Sequence, residues 1–289
     1  MIPPQFDYAA PKTIGEAVKL LGDNPEAKVL AGGMSLIPMM KFRLAAPALL
    51  VDINHIDGLS YIREDDGWLK IGALTREADL DSSDLIHKKY PLLADTAKVI
   101  ADPVVRNWAT VGGNLAHADP ANDHPATMLA YGAQIVATGP KGTRTIPATE
   151  FFQDAFTTVL AHDEILTEIQ VPAPKGKSGG AYVKVERKVG DFATAAVAVQ
   201  INLDGGKCKS MGLGLTNVGF TPIKATAAEG AMANQTPDDG HISQVAQLAA
   251  DASQPIGDYR GSEDYKRSLV KTLVSRAIHL ALTRAQGGN

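Results

Sequence analysis

The stretch Thr110-Val111-Gly112-Gly113-Asn114-Leu115-Ala116-His117-Ala118-Asp119-Pro120-Ala121-Asn122-Asp123, taken with Ala31-Gly32-Gly33-Met34-Ser35 upstream, decides how this chain is read. Each glycine pair follows aliphatic or β-branched residues and ends on a hydroxyl or amide side chain. That pattern reads as a short turn with several bare backbone N–H groups, and such groups collect anions. Glycine suits the position because it tolerates positive φ and, lacking Cβ, lets a phosphate oxygen approach the main chain. One such loop reads equally well as a structural turn. Two of them, with Asp123 set to accept hydrogen bonds, predict a dinucleotide held across its pyrophosphate. Asp123 has a second reading, as a cap for a helix at Pro125.

The rest of the chain bounds the chemistry. With 289 residues, 45% of them hydrophobic, burial on the order of three quarters of the unfolded surface is within reach, and the length favours two or three domains. The 28 basic and 32 acidic residues are interspersed and give a net charge of -4, so no face for nucleic acid is announced. Met1 to Tyr8 carries no basic segment followed by an apolar one, and no later stretch approaches the roughly 18 apolar residues of a membrane span. The expected location is cytoplasmic, or peripheral to the inner face of the membrane. Cys208 is the single cysteine; it makes no internal disulfide, and an iron–sulfur cluster needs about four thiolates. The seven histidines are scattered, without the helical pair bracketing a glutamate that a zinc hydrolase uses. No metal site is expected on this chain, and redox chemistry would fall to an organic cofactor.

Read in order, Thr13 caps a helix running to Leu21, with Glu16 as its capping-box partner. Lys28 to Ala31 is a strand entering the first glycine pair, and Leu49 to Ile53 is another. Tyr61 to Gly72 reads as a hairpin around Asp65-Asp66-Gly67. Helices follow from a cap at Thr75 to about Leu80, from Pro91 to Ile100 and from Pro125 to Tyr131. Gln134 to Thr138, Arg144 to Ile146 and Asp163 to Val171 are strands. Pro172 to Gly180 reads as a linker. Beyond it, strands from Ala181, Asp191 and Cys208 make an antiparallel meander turned at Asp204-Gly205-Gly206. Helices from Lys224, Ile242 and Tyr265 follow, the last with apolar residues at the 3.6 period. Residues Gln286 to Asn289 read as frayed. The expected units are 1–57, 58–174 and 180–289.

The glycine segments and their neighbours resemble the flavin subunits of molybdenum hydroxylases, the xanthine dehydrogenase family. The residues that carry the likeness are Ala-Gly-Gly-Met-Ser-Leu (31–36), Pro-Met-Met-Lys (38–41), Asp-Pro-Val-Val-Arg-Asn (102–107), Thr-Val-Gly-Gly-Asn (110–114) and Asp-Pro-Ala-Asn-Asp (119–123). Glu-Ile-Leu (164–166) and Lys-Val-Glu-Arg-Lys-Val-Gly-Asp-Phe-Ala-Thr-Ala (184–195) add to it, in the same order along the chain. The likeness spans essentially the whole sequence and is greatest to the medium subunits of aerobic carbon monoxide dehydrogenases.

The resemblance implies an α+β architecture. Two α/β subdomains of the vanillyl-alcohol-oxidase (PCMH) type hold FAD, and a C-terminal domain of three antiparallel strands with helices covers it. It places pyrophosphate contacts on Ala31, Gly32, Gly33, Met34 and Ser35, and on Thr110, Gly113 and Asn114. Asp123 matches an acidic residue near the adenosine side. Leu166 matches a backbone contact to the flavin ring, Lys184 a basic residue near that ring, and Ile100 an apolar or aromatic position beside it. Met34 stands where histidine or glutamine is expected, and Phe192 where the carbon monoxide enzymes carry tyrosine, so stacking persists without a phenolic hydroxyl. Read by themselves, Lys184 and Arg187 fit a solvated strand edge, Phe192 fits the core, His117 and His124 fit loop structure, and Arg106 fits an ion pair.

By the same resemblance, substrate oxidation belongs to a large subunit carrying the molybdenum cofactor. A small subunit with two [2Fe–2S] clusters relays electrons, and FAD on this chain passes them to an external acceptor. A dimer of heterotrimers is the implied assembly. Three alternatives stay open: the same subunit of an N-heterocycle or aldehyde hydroxylase, a stand-alone flavoprotein reductase, and a non-catalytic scaffold whose glycine segments are mere turns.

Overall fold

In a computed structural model, which describes residues 1–288, three apolar cores correspond to three successive stretches of chain. The first stretch holds β1 (Asp7–Ala9), α1 (Ile14–Asp23), β2 (Ala27–Leu30), α2 (Leu36–Lys41) and β3 (Leu49–Asp52). Thr13 opens α1 as its spacing predicts: its hydroxyl accepts from the Glu16 amide, and the Glu16 carboxylate accepts from the Thr13 amide. Ala17, Val18 and Leu21 then face Val51 and Ile53 of a small parallel sheet ordered β1-β3-β2. Strand β1 has no counterpart in the sequence reading, because three mostly exposed residues carry no alternation to detect.

The middle stretch begins with the hairpin of β4 (Ile62–Asp65) and β5 (Trp68–Gly72), turned through Asp66 and Gly67, both at positive φ, as the tight turns that match strand twist require. Six helices follow: α3 (Glu77–Ser82), α4 (Asp84–Lys89), α5 (Pro91–Val99), α6 (Pro103–Arg106), α7 (Val111–His117) and α8 (Asp123–Tyr131). Then come β6 (Gln134–Gly139), β7 (Gly142–Pro147), α9 (Ala148–Phe151), β8 (Phe152–Asp154), β9 (Thr157–Thr158) and β10 (Ile165–Pro172). The five-stranded sheet, ordered β4-β5-β10-β6-β7, is antiparallel throughout. Thr75 does not cap a helix. Its buried hydroxyl exchanges hydrogen bonds with the backbone of Tyr61, and α3 starts two residues later.

The last stretch contains β11 (Lys177–Val185), β12 (Ala195–Asp204), β13 (Lys207–Thr216), β14 (Ile223–Lys224), α10 (Thr226–Met232), α11 (Asp239–Ala252) and α12 (Glu263–Ala285). The expected three strands are joined by the two-residue β14 at one edge. Alternation along β12 explains its run of small residues. Ala195, Val197, Val199 and Ile201 face the helices, while Ala196 and Ala198 turn to the middle stretch and meet Leu92, Ala126 and Ala130. The linker is shorter than expected, since β11 already begins at Lys177. Gln286 to Gly288 are hydrogen-bonded back onto the last turn of α12, not frayed, and Asn289 lies outside the described residues.

Candidate functional site

A cleft of about 590 Å³ runs between the first sheet, the middle stretch and the loop that joins β11 to β12. Ala31, Gly32, Gly33, Met34, Ser35, Ile100, Thr110, Gly113, Asn114, Asp123, Leu166, Lys184 and Phe192 all line it. Residues spread over 160 positions of sequence therefore share one wall system, and the two glycine segments stand side by side.

The first segment is the open one. Strand β2 ends at Leu30, and the chain turns at Gly33 with φ of 75°, a conformation that L side chains rarely adopt. Gly32 presses so closely on the Trp108 carbonyl that a Cβ there would collide with it. The amides of Gly32, Gly33, Met34 and Ser35 donate to no acceptor among the described residues. Ser35 precedes α2 without a side-chain capping bond, so its hydroxyl is free as well.

The second segment differs from expectation. Thr110 caps α7, and Gly112, Gly113 and Asn114 lie in its first turn. Their amides are already engaged: Val111 donates to Thr75 O, Gly112 to Ala73 O, Gly113 to Thr110 Oγ1 at 3.1 Å, and Asn114 to Thr110 O. Valine and threonine before the glycines read as a turn, but here a capping threonine converts the same residues into a helix start. This segment brings close packing and the Asn114 side chain, whose Oδ1 is buried and has no partner.

Asp123 and Lys184 form the third part. Asp123 opens α8, with Asn122 as the capping residue, so Asp123 is not the cap. Its buried carboxylate accepts from Tyr182 Oη at 2.7 Å and from Lys184 Nζ at 2.9 Å. The Lys184 ammonium also reaches Val99 O at 3.1 Å and Glu186 Oε2 at 3.4 Å. With 3% of its side chain exposed, Lys184 is no solvated strand edge. Burial pushes the Asp123 carboxyl up from its usual range, against the pull of Lys184 and Tyr182. The ion pair also revises the sequence reading, because residues assigned to the adenosine side and to the ring touch each other and cannot serve opposite ends of an extended dinucleotide.

Phe192 is 47% exposed at the rim, which rules out the core reading. It follows Asp191, whose carboxylate is gripped by Arg187 at 3.1 Å and Arg260 at 3.2 Å. Arg106 pairs with Asp81 at 3.5 Å and donates to Ile100 O. His117 ends α7 in the cleft wall, where burial pulls its pKa down. His124 lies outside the cleft, wholly buried against Glu77. Cys208 is buried in the last core and its thiol is pushed up to about 11. Lys28, Phe156 and His162 complete the wall; isolated in sequence and outside any motif, they gave no signal. Among the described residues, no group of side chains suits a metal ion and no helix is long and apolar enough to cross a membrane.

These features fit FAD. Four free amides and a free hydroxyl suit a diphosphate, the unpartnered Asn114 Oδ1 awaits a donor, and the cleft continues past both glycine segments.

Comparison with known proteins agrees. Residues 4–174 match the family described as the FAD binding domain in molybdopterin dehydrogenase, and residues 180–281 match the CO dehydrogenase flavoprotein C-terminal domain. The chain is 44% identical over 285 residues to the carbon monoxide dehydrogenase medium chain of Hydrogenophaga pseudoflava, covering 98% of this chain and 99% of the relative. It is 37% identical over 288 residues to the 6-hydroxypseudooxynicotine dehydrogenase complex subunit alpha of Paenarthrobacter nicotinovorans, covering 99% and 97%. Among solved structures, a carbon monoxide dehydrogenase from Hydrogenophaga pseudoflava lacking the Mo-pyranopterin moiety superposes with a TM-score of 0.96 at 47% identity, covering 98% of this chain and 99% of that one.

Proposed function

Since this chain belongs to the FAD-binding medium subunits of the molybdenum hydroxylases, we propose that it is the electron-exit subunit of a carbon monoxide dehydrogenase-like complex. It takes electrons from the [2Fe–2S] clusters of a small subunit and delivers them to an external acceptor, while a large molybdenum subunit oxidises the substrate. The assembly is a dimer of such heterotrimers in the cytoplasm. The open amides of Gly32 to Ser35 at the head of one continuous cleft carry this reading.

FAD, when bound, supplies a carrier that exchanges electrons singly or in pairs. The chain's own residues bind and orient it. The amides of Gly32 to Ser35 and the Ser35 hydroxyl hold the diphosphate. Asp123, Lys184, Ile100 and Phe192 share the cleft lining, and the likeness to the flavin subunits puts Lys184 and Ile100 beside the ring, so the ring lies there. Lys28 and His162, which also line the cleft, are left for the adenosine. Lys184 brings a positive charge into the cleft wall, and its bond to Asp123 fixes its position.

Substrate choice lies on the large subunit, and relatives named for carbon monoxide and for 6-hydroxypseudooxynicotine match nearly all of this chain. The test is anaerobic: the purified complex is mixed with carbon monoxide while its flavin absorbance is followed, and an acceptor dye is then added. Bleaching by carbon monoxide and recovery on the dye are expected. A flavin-free complex overturns the FAD assignment, and flavin that bleaches only with an aldehyde or N-heterocycle overturns the substrate assignment.

A further inference from the structure

Behind the cleft, and outside its lining, Glu77 of α3 and His124 of α8 meet in the core. Both side chains are fully buried, with His124 Nε2 at 2.8 Å from Glu77 Oε2. The other two polar atoms of the pair, Glu77 Oε1 and His124 Nδ1, have no partner among the described residues. On stability alone this arrangement is hard to account for. A dry carboxylate–imidazole contact is typically no better than apolar side chains of the same size, and leftover polar atoms make it worse.

The backbone around each residue shows what the pair connects. Glu77 N donates to Ala109 O, Val111 N to Thr75 O and Gly112 N to Ala73 O, and Arg76 bridges to Thr110. The Glu77 carboxylate is thus rigidly tied to the second glycine segment. On the other side, His124 follows Asp123, the residue that holds Lys184 and Tyr182, and Asn122, whose side-chain amide donates to Asn114 O at 2.8 Å. The pair therefore bolts the wall carrying Thr110 and Asn114 to the wall carrying Asp123.

We propose that Glu77 and His124 are positioning residues for the cofactor: their buried contact fixes Asp123, and through it Lys184, relative to the second glycine segment. The proposal rests on the reading that the cleft holds FAD. Neither residue touches the cleft, so each acts through a neighbour.

The assembled complex is prepared with Glu77→Leu and His124→Leu together, beside the wild type. FAD release is followed by the rise in free-flavin fluorescence on dilution, and thermal unfolding is recorded on the flavin-stripped form of both. The double variant is expected to melt no lower than the wild type and to release FAD at least about tenfold faster, the loss expected when a hydrogen-bonded charge is displaced. A purely structural pair would change melting and leave release alone. Glu77→Met, which keeps the side-chain length but removes the hydrogen bond, covers the case in which the double variant does not assemble. It is expected to accelerate release about threefold and to alter the visible circular dichroism of the bound flavin. Release at the wild-type rate in either variant overturns the proposal. A wild-type complex without flavin overturns the reading beneath it instead.

Discussion

At the scale of single residues, the site depends on what glycine lacks and on what aspartate holds. Gly32→Ala would force a methyl group into the Trp108 carbonyl, and since backbone cannot yield as a side-chain tip does, the two glycine segments must part. The expected outcome is loss of most bound flavin, with destabilisation of about 1–3 kcal/mol as for other overpacked sites, read from the flavin-to-protein absorbance ratio and from denaturant unfolding. Lys184→Met removes the cation beside a buried carboxylate. The uncompensated charge should cost about 3–5 kcal/mol unless Asp123 takes up a proton, so the variant's unfolding free energy should rise as pH is lowered from 8 to 5. A pH-independent loss would contradict the placement of Asp123. Glu164 behaves oppositely. Hydrogen bonds from Arg144 hold its carboxyl below the usual range. Its contribution is therefore present above the unfolded value near pH 4.5 and is lost as pH falls through the lower folded value. Arg144→Ala should flatten that part of the stability-against-pH curve.

Among the elements, the sequence was most legible where local chemistry acts alone. The capping box of α1, the hairpin turn at Asp66-Gly67 and the period of α12 all depend on side chains within a turn or two of each other. Thr13→Ala should accordingly cost about 1 kcal/mol in denaturant unfolding. Legibility failed where distant partners decide. Thr75 looks like a helix cap until Tyr61 takes its hydroxyl. The residues from Thr110 to Asn114 look like a second bare loop until Thr75 and Ala73 take the Val111 and Gly112 amides and Thr110 itself takes those of Gly113 and Asn114. The contact of Asp123 with Lys184 joins two residues that only the folded sheet brings together. The closing helix offers a further case: Arg284 in the last turn of α12 forks onto Asp95 of α5 at 2.6 and 3.0 Å and donates to Gly180 O. Asp95→Ala should lower stability by about 2 kcal/mol and loosen the last stretch first, visible as earlier hydrogen exchange in α12.

For the whole molecule, all three successive stretches of chain line a single cleft, so cofactor binding and folding should be coupled. FAD that binds only the assembled cleft stabilises it by mass action, by about 2.7 kcal/mol at a hundredfold excess over Kd. Stripping the flavin should therefore lower the melting temperature of the complex, and adding FAD should restore it. The central claim is narrower: the open amides after β2 hold the diphosphate, and the end marked by Lys184 holds the ring. A crystal structure of the FAD-loaded complex tests it most directly. Diphosphate oxygens within hydrogen-bonding distance of the Gly32 to Ser35 amides, and the flavin ring beside Lys184 and Phe192, are the expected result. A diphosphate bound elsewhere, or a ring beside Lys28 and His162, would contradict it.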